Sequence, residues 1–279
     1  HDVVNAVRRR LGTRRVGHSG TLDPMAEGLL VVAVGAATRF LQYLPLEPKE
    51  YVATLEFGKT TDPFDAEGET TSVSEVPADL RARIEAALPE YRGLIRQTPP
   101  MFSAVKVKGK PLYAYARAGQ EMPREPRTVH IGAYEILEMH GPSAKMRVEC
   151  SGGTYVRTLA DDLGRTVGCG AHLTALVRTG VGRFRREDAV PLDEVTIDRL
   201  VPLEQALPPL PMVAVPPEIA EKVRHGLPVR LDEEPEGNLV ALLEARGVFS
   251  IARRNGAAWQ PDCVIPSEVL DEPEARRVA

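Results

Sequence analysis

Asp23 lies in the stretch GHSGTLDPMAEGLLVVAVGAATRF (residues 17–40), directly before Pro24, five residues after His18 and just ahead of a long apolar run. Pro24 fixes its own backbone and pushes Asp23 away from helical geometry toward an extended one. Residues 28–35 then read as one buried strand, being apolar, rich in β-branched side chains and bounded by glycines. A lone carboxylate at the lip of a buried strand, with a histidine nearby, has the chemistry of a nucleophile or a general base. Residue type and spacing alone favour a plainer role, a turn or cap in which the Asp accepts backbone hydrogen bonds.

Other residues with chemical potential recur along the chain, each with a structural alternative. Residues 49–58 alternate as a half-buried strand whose odd positions share a face opened by Tyr51, where a core or cross-strand aromatic is the commoner role. In residues 97–113 two prolines forbid a helix, and 103–108 alternate as a strand with Lys106 and Lys108 on one side. These lysines are either a phosphate track or solvated surface. In SGGTYVRTLA (151–160) the glycines end a strand, and Tyr155 and Arg157 alternate onto one side before a helix begins, which alone reads as a surface strand pair. Leu176 reads as core and His172 as a structural hydrogen-bonding residue, since no metal-spaced partner accompanies it. The acidic loop 60–69 lacks calcium-loop spacing and is expected to be solvated.

The elements that must position these residues are legible at coarse grain. Apolar residues at 3, 4, 7 and 11 predict a first helix ending near Gly12. A short amphipathic helix is expected over 80–88, strands over 128–139 and 144–150 around a turn at 140–143, and a helix continuing over 161–168. Proline is dense over 203–217, a natural boundary. Beyond it, short strands over 239–243, 248–253 and 259–265 suggest a small β-barrel. The strand-rich pattern supports a mixed α+β domain with that appendage.

Composition sets outer bounds. With 279 residues, 43% hydrophobic and 27% charged, the chain has ordinary globular character and room for one large domain with a small one. Three scattered cysteines, an odd number, exclude a full disulfide framework and fit a reduced compartment. The longest apolar run, 29–37, is too short to span a bilayer. A formal net charge of −4 argues weakly against nucleic acid. Arginines and lysines nevertheless cluster at 8–15, 92–117 and 178–186, while acids concentrate at 47–90, 232–236 and 268–274. One basic face for a phosphate backbone and scattered solvated arginines are both open readings.

Residues 17–39 resemble, without a gap, the catalytic motif of the TruB family of pseudouridine synthases, which make pseudouridine in the T loop of tRNA. The resemblance implies that Asp23 is the catalytic residue and that His18 helps hold the disrupted RNA loop. By the family's Lys-x-Tyr motif, Tyr51 stacks on the flipped base. The run from Gln97 to Lys106 resembles the Gln-x-Pro-Pro-x-x-Ser-Ala-x-Lys motif and gives Lys106 an RNA-facing role. The Gly-Thr-Tyr-x-Arg-Thr motif implies that Tyr155 lines the pocket and that Arg157 pairs with the catalytic carboxylate. The segment ending Leu-x-Arg-Thr implies that Leu176 packs against the target base.

The implied fold is α+β, a pseudouridine-synthase fold with a mixed, largely antiparallel central sheet flanked by helices, plus a small C-terminal β-barrel similar to a PUA domain. The expected domains are a catalytic one over 1–207, lacking the family's first strand, a PUA-like one over 211–268 and a tail over 269–279. The implied reaction is isomerisation of tRNA uridine 55 without cofactor or metal, by a cytoplasmic monomer that needs the tRNA T stem-loop but neither a membrane nor an obligatory protein partner. A tRNA-folding role is compatible with it. Two rivals are a dyskerin-like synthase guided by a separate RNA and an RNA-folding module without catalysis. The loop at 60–69 and the compact catalytic region resemble the stand-alone type, and the intact Asp23, Tyr51 and Arg157 argue against lost catalysis.

Overall fold

In the computed structural model, which describes residues 2–267 and 277–278, the alternation over 49–58 becomes the strand Lys49–Phe57, with Tyr51, Ala53, Leu55 and Phe57 buried. It belongs to a seven-stranded sheet of β1 (Ala26–Gly28), β2 (Lys49–Phe57), β3 (Gly93–Gln97), β4 (Arg127–His140), β5 (Ser143–Cys150), β6 (Ala171–Val181) and β7 (Phe184–Arg185). The order is β7-β6-β2-β5-β4-β3, with β1 added to β6. Only the β1–β6 pair is parallel, so the sheet is mixed and largely antiparallel, as expected.

One face of this sheet is apolar and covered by α1 (Leu80–Ala87) and α2 (Val156–Val167), which place Ile84, Leu159 and Leu163 on Leu55, Ile131 and Met146. On the other face Arg147 bridges Glu50, Glu135 and Glu149. Each fully buried aliphatic side chain contributes about 1.5–3 kcal/mol, whereas a part-exposed ion pair contributes about 0–1 kcal/mol. The helix-covered face therefore holds the layer together. Gly164 sets how closely α2 approaches β6, because a Cβ there would come within 2.1 Å of the Ala171 backbone nitrogen. The expected hairpin around 140–143 is present, with His140 opposite Ser143.

Residues 22–29 and 46–186, which hold this sheet, form one compact unit. Residues 1–21, 30–45 and 187–279 form another. In the second unit the predicted helix Asp2–Leu11 buries Val4 and Val7 against Val16, Val32 and Val34. Strands Val16–His18, Val32–Val34, Arg277–Val278 and Val201–Pro202 make a small sheet there. The predicted later strands are Leu239–Glu244, Gly247–Asn255 and Ala258–Val264, joined in parallel by Met212–Ala214. They make an open four-stranded sheet, and no pairing closes it into the expected barrel among the described residues; Val229 meets Trp259 only at an isolated bridge. Apart from Arg277–Val278, the expected tail over 269–279 lies outside the described residues.

Two strand expectations need correction. The apolar run 28–35 is divided between β1 and the separate strand Val32–Val34. Gly28 takes φ +98°, and a Cβ there would lie 2.3 Å from the Arg178 carbonyl oxygen, so the chain leaves β6 at that point. The lysine-bearing strand shrinks to Lys106–Val107, paired with Lys110–Pro111, and Lys108 sits in the turn with φ 49°.

Candidate active site

Asp23 fills the turn role and leaves its side chain free of it. Its backbone carbonyl accepts from Ala26 N at 2.9 Å, closing the turn that Pro24 begins. Its carboxylate takes a fork from Arg157, Nε to Oδ2 at 2.7 Å and one terminal nitrogen to Oδ1 at 3.0 Å. Such a bidentate, charge-assisted pair fixes the plane of the carboxylate.

Arg157 is not on a strand, contrary to the alternation read over 151–160. It lies in the first turn of α2, with Tyr155 as the N-cap, and is 3% exposed. Its remaining N–H groups reach the Pro63 carbonyl at 3.1 Å, the Phe102 carbonyl at 2.9 Å and Asp65 Oδ2 at 3.5 Å. All five guanidinium donors therefore have acceptors or an ion-pair partner, which a buried guanidinium requires.

Asp65 corrects the expectation of a solvated loop at 60–69. Strands Lys59–Asp62 and Glu69–Val73 form a hairpin that carries Asp65 inward, and its side chain is 3% exposed. Burial pushes its carboxyl up from the ordinary range, against the opposing pull of the Glu67 backbone N–H and the Arg157 charge. The loop is held by Thr61 Oγ1, which donates to the Asp65 carbonyl at 2.6 Å, and by Leu173 N, which donates to the Phe64 carbonyl at 2.9 Å. A cavity of about 380 Å³ opens beside it, lined by Pro63, Phe64, Met101, Phe102 and Arg124.

Tyr51 and Leu176 stand on neighbouring strands and share one apolar cluster, against which Met25 and Ala26 pack. Leu176 is held between Ala53 of β2 and Ala26 of β1. Burial raises the Tyr51 hydroxyl, and the hydrogen bond and charge of Arg178 oppose the rise, while the Asp23 charge adds to it. Arg178 was grouped by sequence with a basic surface cluster. It is instead 1% exposed, opposite Tyr51, and its Nε donates to the Leu29 carbonyl at 2.7 Å.

The other expected residues are placed differently. Tyr155 is half-buried, with its backbone bonded to Gln97 and its ring beneath Arg127. Lys106 is exposed on the small hairpin. His18 ends the strand Val16–His18 in the second unit, and its Nδ1 accepts from Gly20 N at 3.2 Å. Among the described residues no group of three His, Cys, Asp or Glu has the spacing to hold a metal ion.

Sequence reasoning missed Asp65, Gln97 and Arg178 as parts of this arrangement. The available signal for Asp65 was its position between Phe64 and Ala66, an apolar bracket unusual in a solvated loop.

Residues 8–156 match the profile of the TruB family pseudouridylate synthase N-terminal domain, and residues 157–208 that of the tRNA pseudouridylate synthase B C-terminal domain. The tRNA pseudouridine synthase B of Opitutus terrae is 47% identical over 75% of this chain and 89% of its own. The Burkholderia lata protein of the same name is 43% identical over 95% and 86%. Among solved structures, a Cbf5-Nop10-Gar1 complex aligns with TM-score 0.67 and 27% identity, covering 97% of this chain and 82% of the other. An H/ACA RNP bound to a substrate RNA containing 2'-deoxyuridine aligns with TM-score 0.63 at 24% identity, covering 99% and 83%, a likeness of fold. The chain belongs to the TruB family of pseudouridine synthases, which are isomerases.

Proposed function

We propose that this enzyme converts uridine 55 in the T loop of tRNA to pseudouridine, with Asp23 as the catalytic residue. The N1–C1′ bond breaks, the uracil turns, and C5 joins C1′; N1 gains a proton and C5 loses one, so no oxidant or group donor enters. The observation that carries this reading is the Asp23–Arg157 fork beside the apolar cluster of Tyr51 and Leu176. The fork holds the carboxylate in one orientation. An aromatic face and an apolar wall are what a base taken out of its stack requires.

In this reading Tyr51 stacks on the flipped base, Tyr155 and Leu176 complete the pocket, His18 holds the opened loop, and Lys106 meets RNA phosphate. Loop RNA suits such recognition, because its bases can be splayed and stacked. Residues 1–207 act as the catalytic domain and 211–268 as a PUA-like RNA-binding domain. The enzyme works in the cytoplasm as a monomer without a partner protein, and a tRNA-folding role accompanies the chemistry. No helix among the described residues is long and apolar enough to cross a membrane.

The likeness to the Cbf5 complex supports a second reading, a guided enzyme that needs accessory components. The relatives named tRNA pseudouridine synthase B, at 43–47% identity against 27%, favour the stand-alone reading. One assay separates them. An unmodified tRNA T stem-loop tritiated at uridine C5 is incubated with the protein alone. Tritium release by the wild type and none by Asp23→Asn supports the stand-alone synthase. Binding without release by either protein overturns it for this substrate.

A further inference from the structure

Gln97 closes β3 and Arg127 opens β4, and the two face each other across the sheet. Both side chains converge on Tyr155. The Gln97 amide, 1% exposed, accepts from Tyr155 N at 2.8 Å and donates to Tyr155 O at 3.0 Å. A side-chain amide thereby grips the helix N-cap residue as a neighbouring strand would. The Arg127 guanidinium carbon lies 4.8 Å from the centre of the Tyr155 ring, within cation–π range. One of its terminal nitrogens donates to the Gly153 carbonyl, while its Nε is buried without an acceptor. Leaving a buried guanidinium N–H unpaired is unfavourable. The side chain is thus oriented by the ring and the Gly153 carbonyl rather than by filling every donor.

We propose that Gln97 and Arg127 form a cross-strand positioning pair for the pocket tyrosine. The amide fixes the Tyr155 backbone, and the guanidinium braces one face of the ring so that the other is presented to the nucleobase. Because Arg157 follows two residues later in the first turn of α2, the same grip steadies the root of the side chain that forks onto Asp23. This role rests on the reading of Tyr155 as a pocket residue.

The test is a double-mutant cycle of Arg127→Met and Tyr155→Leu, read as kcat and KM for tritium release from full-length unmodified tRNA. Arg127→Met is expected to lower kcat about three- to thirtyfold while KM stays within about threefold, the range of a part-desolvated cation–π contact. In the Tyr155→Leu background the same substitution changes little. Arg127→Lys, which keeps the charge and loses the plane, recovers part of the lost kcat. Circular dichroism melts check folding, and if Arg127→Met fails to fold, Arg127→Lys carries the cycle with a smaller loss that also vanishes in Tyr155→Leu. Losses that multiply in the double variant overturn the pairing. So does a rise in KM with unchanged kcat, which would make Arg127 a phosphate contact. A Tyr155→Leu enzyme with wild-type kcat removes the pocket role and this proposal with it, while the function itself stands. No release by the wild type overturns the functional reading and the positioning role together.

Discussion

Two turns of this enzyme each carry an Asp–Pro step, and the carboxylates they supply meet on one guanidinium. In the first, Asp23 keeps a side chain that is 26% exposed and spends both oxygens on the Arg157 fork. In the second, Asp65 is 3% exposed, accepts from the Glu67 backbone and lies 3.5 Å from the same arginine. The accessible carboxylate can be reached from solvent, whereas the buried one meets the arginine and the Glu67 backbone. In the proposed reading Asp23 therefore belongs to the chemistry and Asp65 to the aim of Arg157.

The sharpest way to break that division is to neutralise each in turn. Asp23→Asn should abolish tritium release, a loss of about 10⁴-fold, and lower the melting temperature, because it leaves the buried Arg157 with Asp65 as its remaining charged partner. Arg157→Lys keeps a charge but no fork, and should lower kcat about 10²- to 10³-fold with a clear loss of stability, since breaking a buried pair is expensive. Asp65→Asn should cost about tenfold, because the fork and two carbonyls still hold the arginine. If it costs as much as Asp23→Asn, the division of labour fails.

Asp65→Asn also has a pH signature. Its carboxyl is raised by burial, so the native state favours the protonated form, and this group's favourable contribution is lost as pH rises through the native pKa. The melting temperature of Asp65→Asn relative to wild type should accordingly increase as pH rises above the ordinary carboxylate range of about 4. The wild-type kcat should fall as Asp65 protonates, on a limb that the Asn variant lacks. Finest of all, Thr61→Val removes the hydroxyl bond to the Asp65 carbonyl and should cost about 1 kcal/mol in denaturant melts with only a slight change in kcat.

The first turn was legible and the second was not, for a physical reason. Asp23 adjoins a long motif, and Pro24 and the glycines around it restrict the backbone locally. Tyr51 was equally readable, because the strand that carries it is apolar on one face and polar on the other. The burial of Asp65 comes from residues far along the chain: Arg157 on a helix and Leu173 on a strand. The Phe64–Ala66 bracket hints at burial but identifies neither neighbour, so an acidic, turn-rich loop reads as solvated. Arg178 misled in the same way, as a basic residue whose burial depends on pairing with Tyr51. The apolar run at 28–35 misled oppositely, since a composition that suits one strand is shared by two sheets.

The parallel strand Ala26–Gly28 has a consequence in time. It joins the chain to a partner far away in sequence, Leu29 and Arg178 being 149 positions apart, whereas the β4–β5 hairpin closes locally. Closing long loops is slow because the entropy is lost before the contact forms. During refolding the local β4–β5 hairpin should form first, and the segment bearing Asp23 should dock late. Catalytic competence then becomes a late event, and the enzyme should regain its far-ultraviolet dichroism before it regains the ability to release tritium.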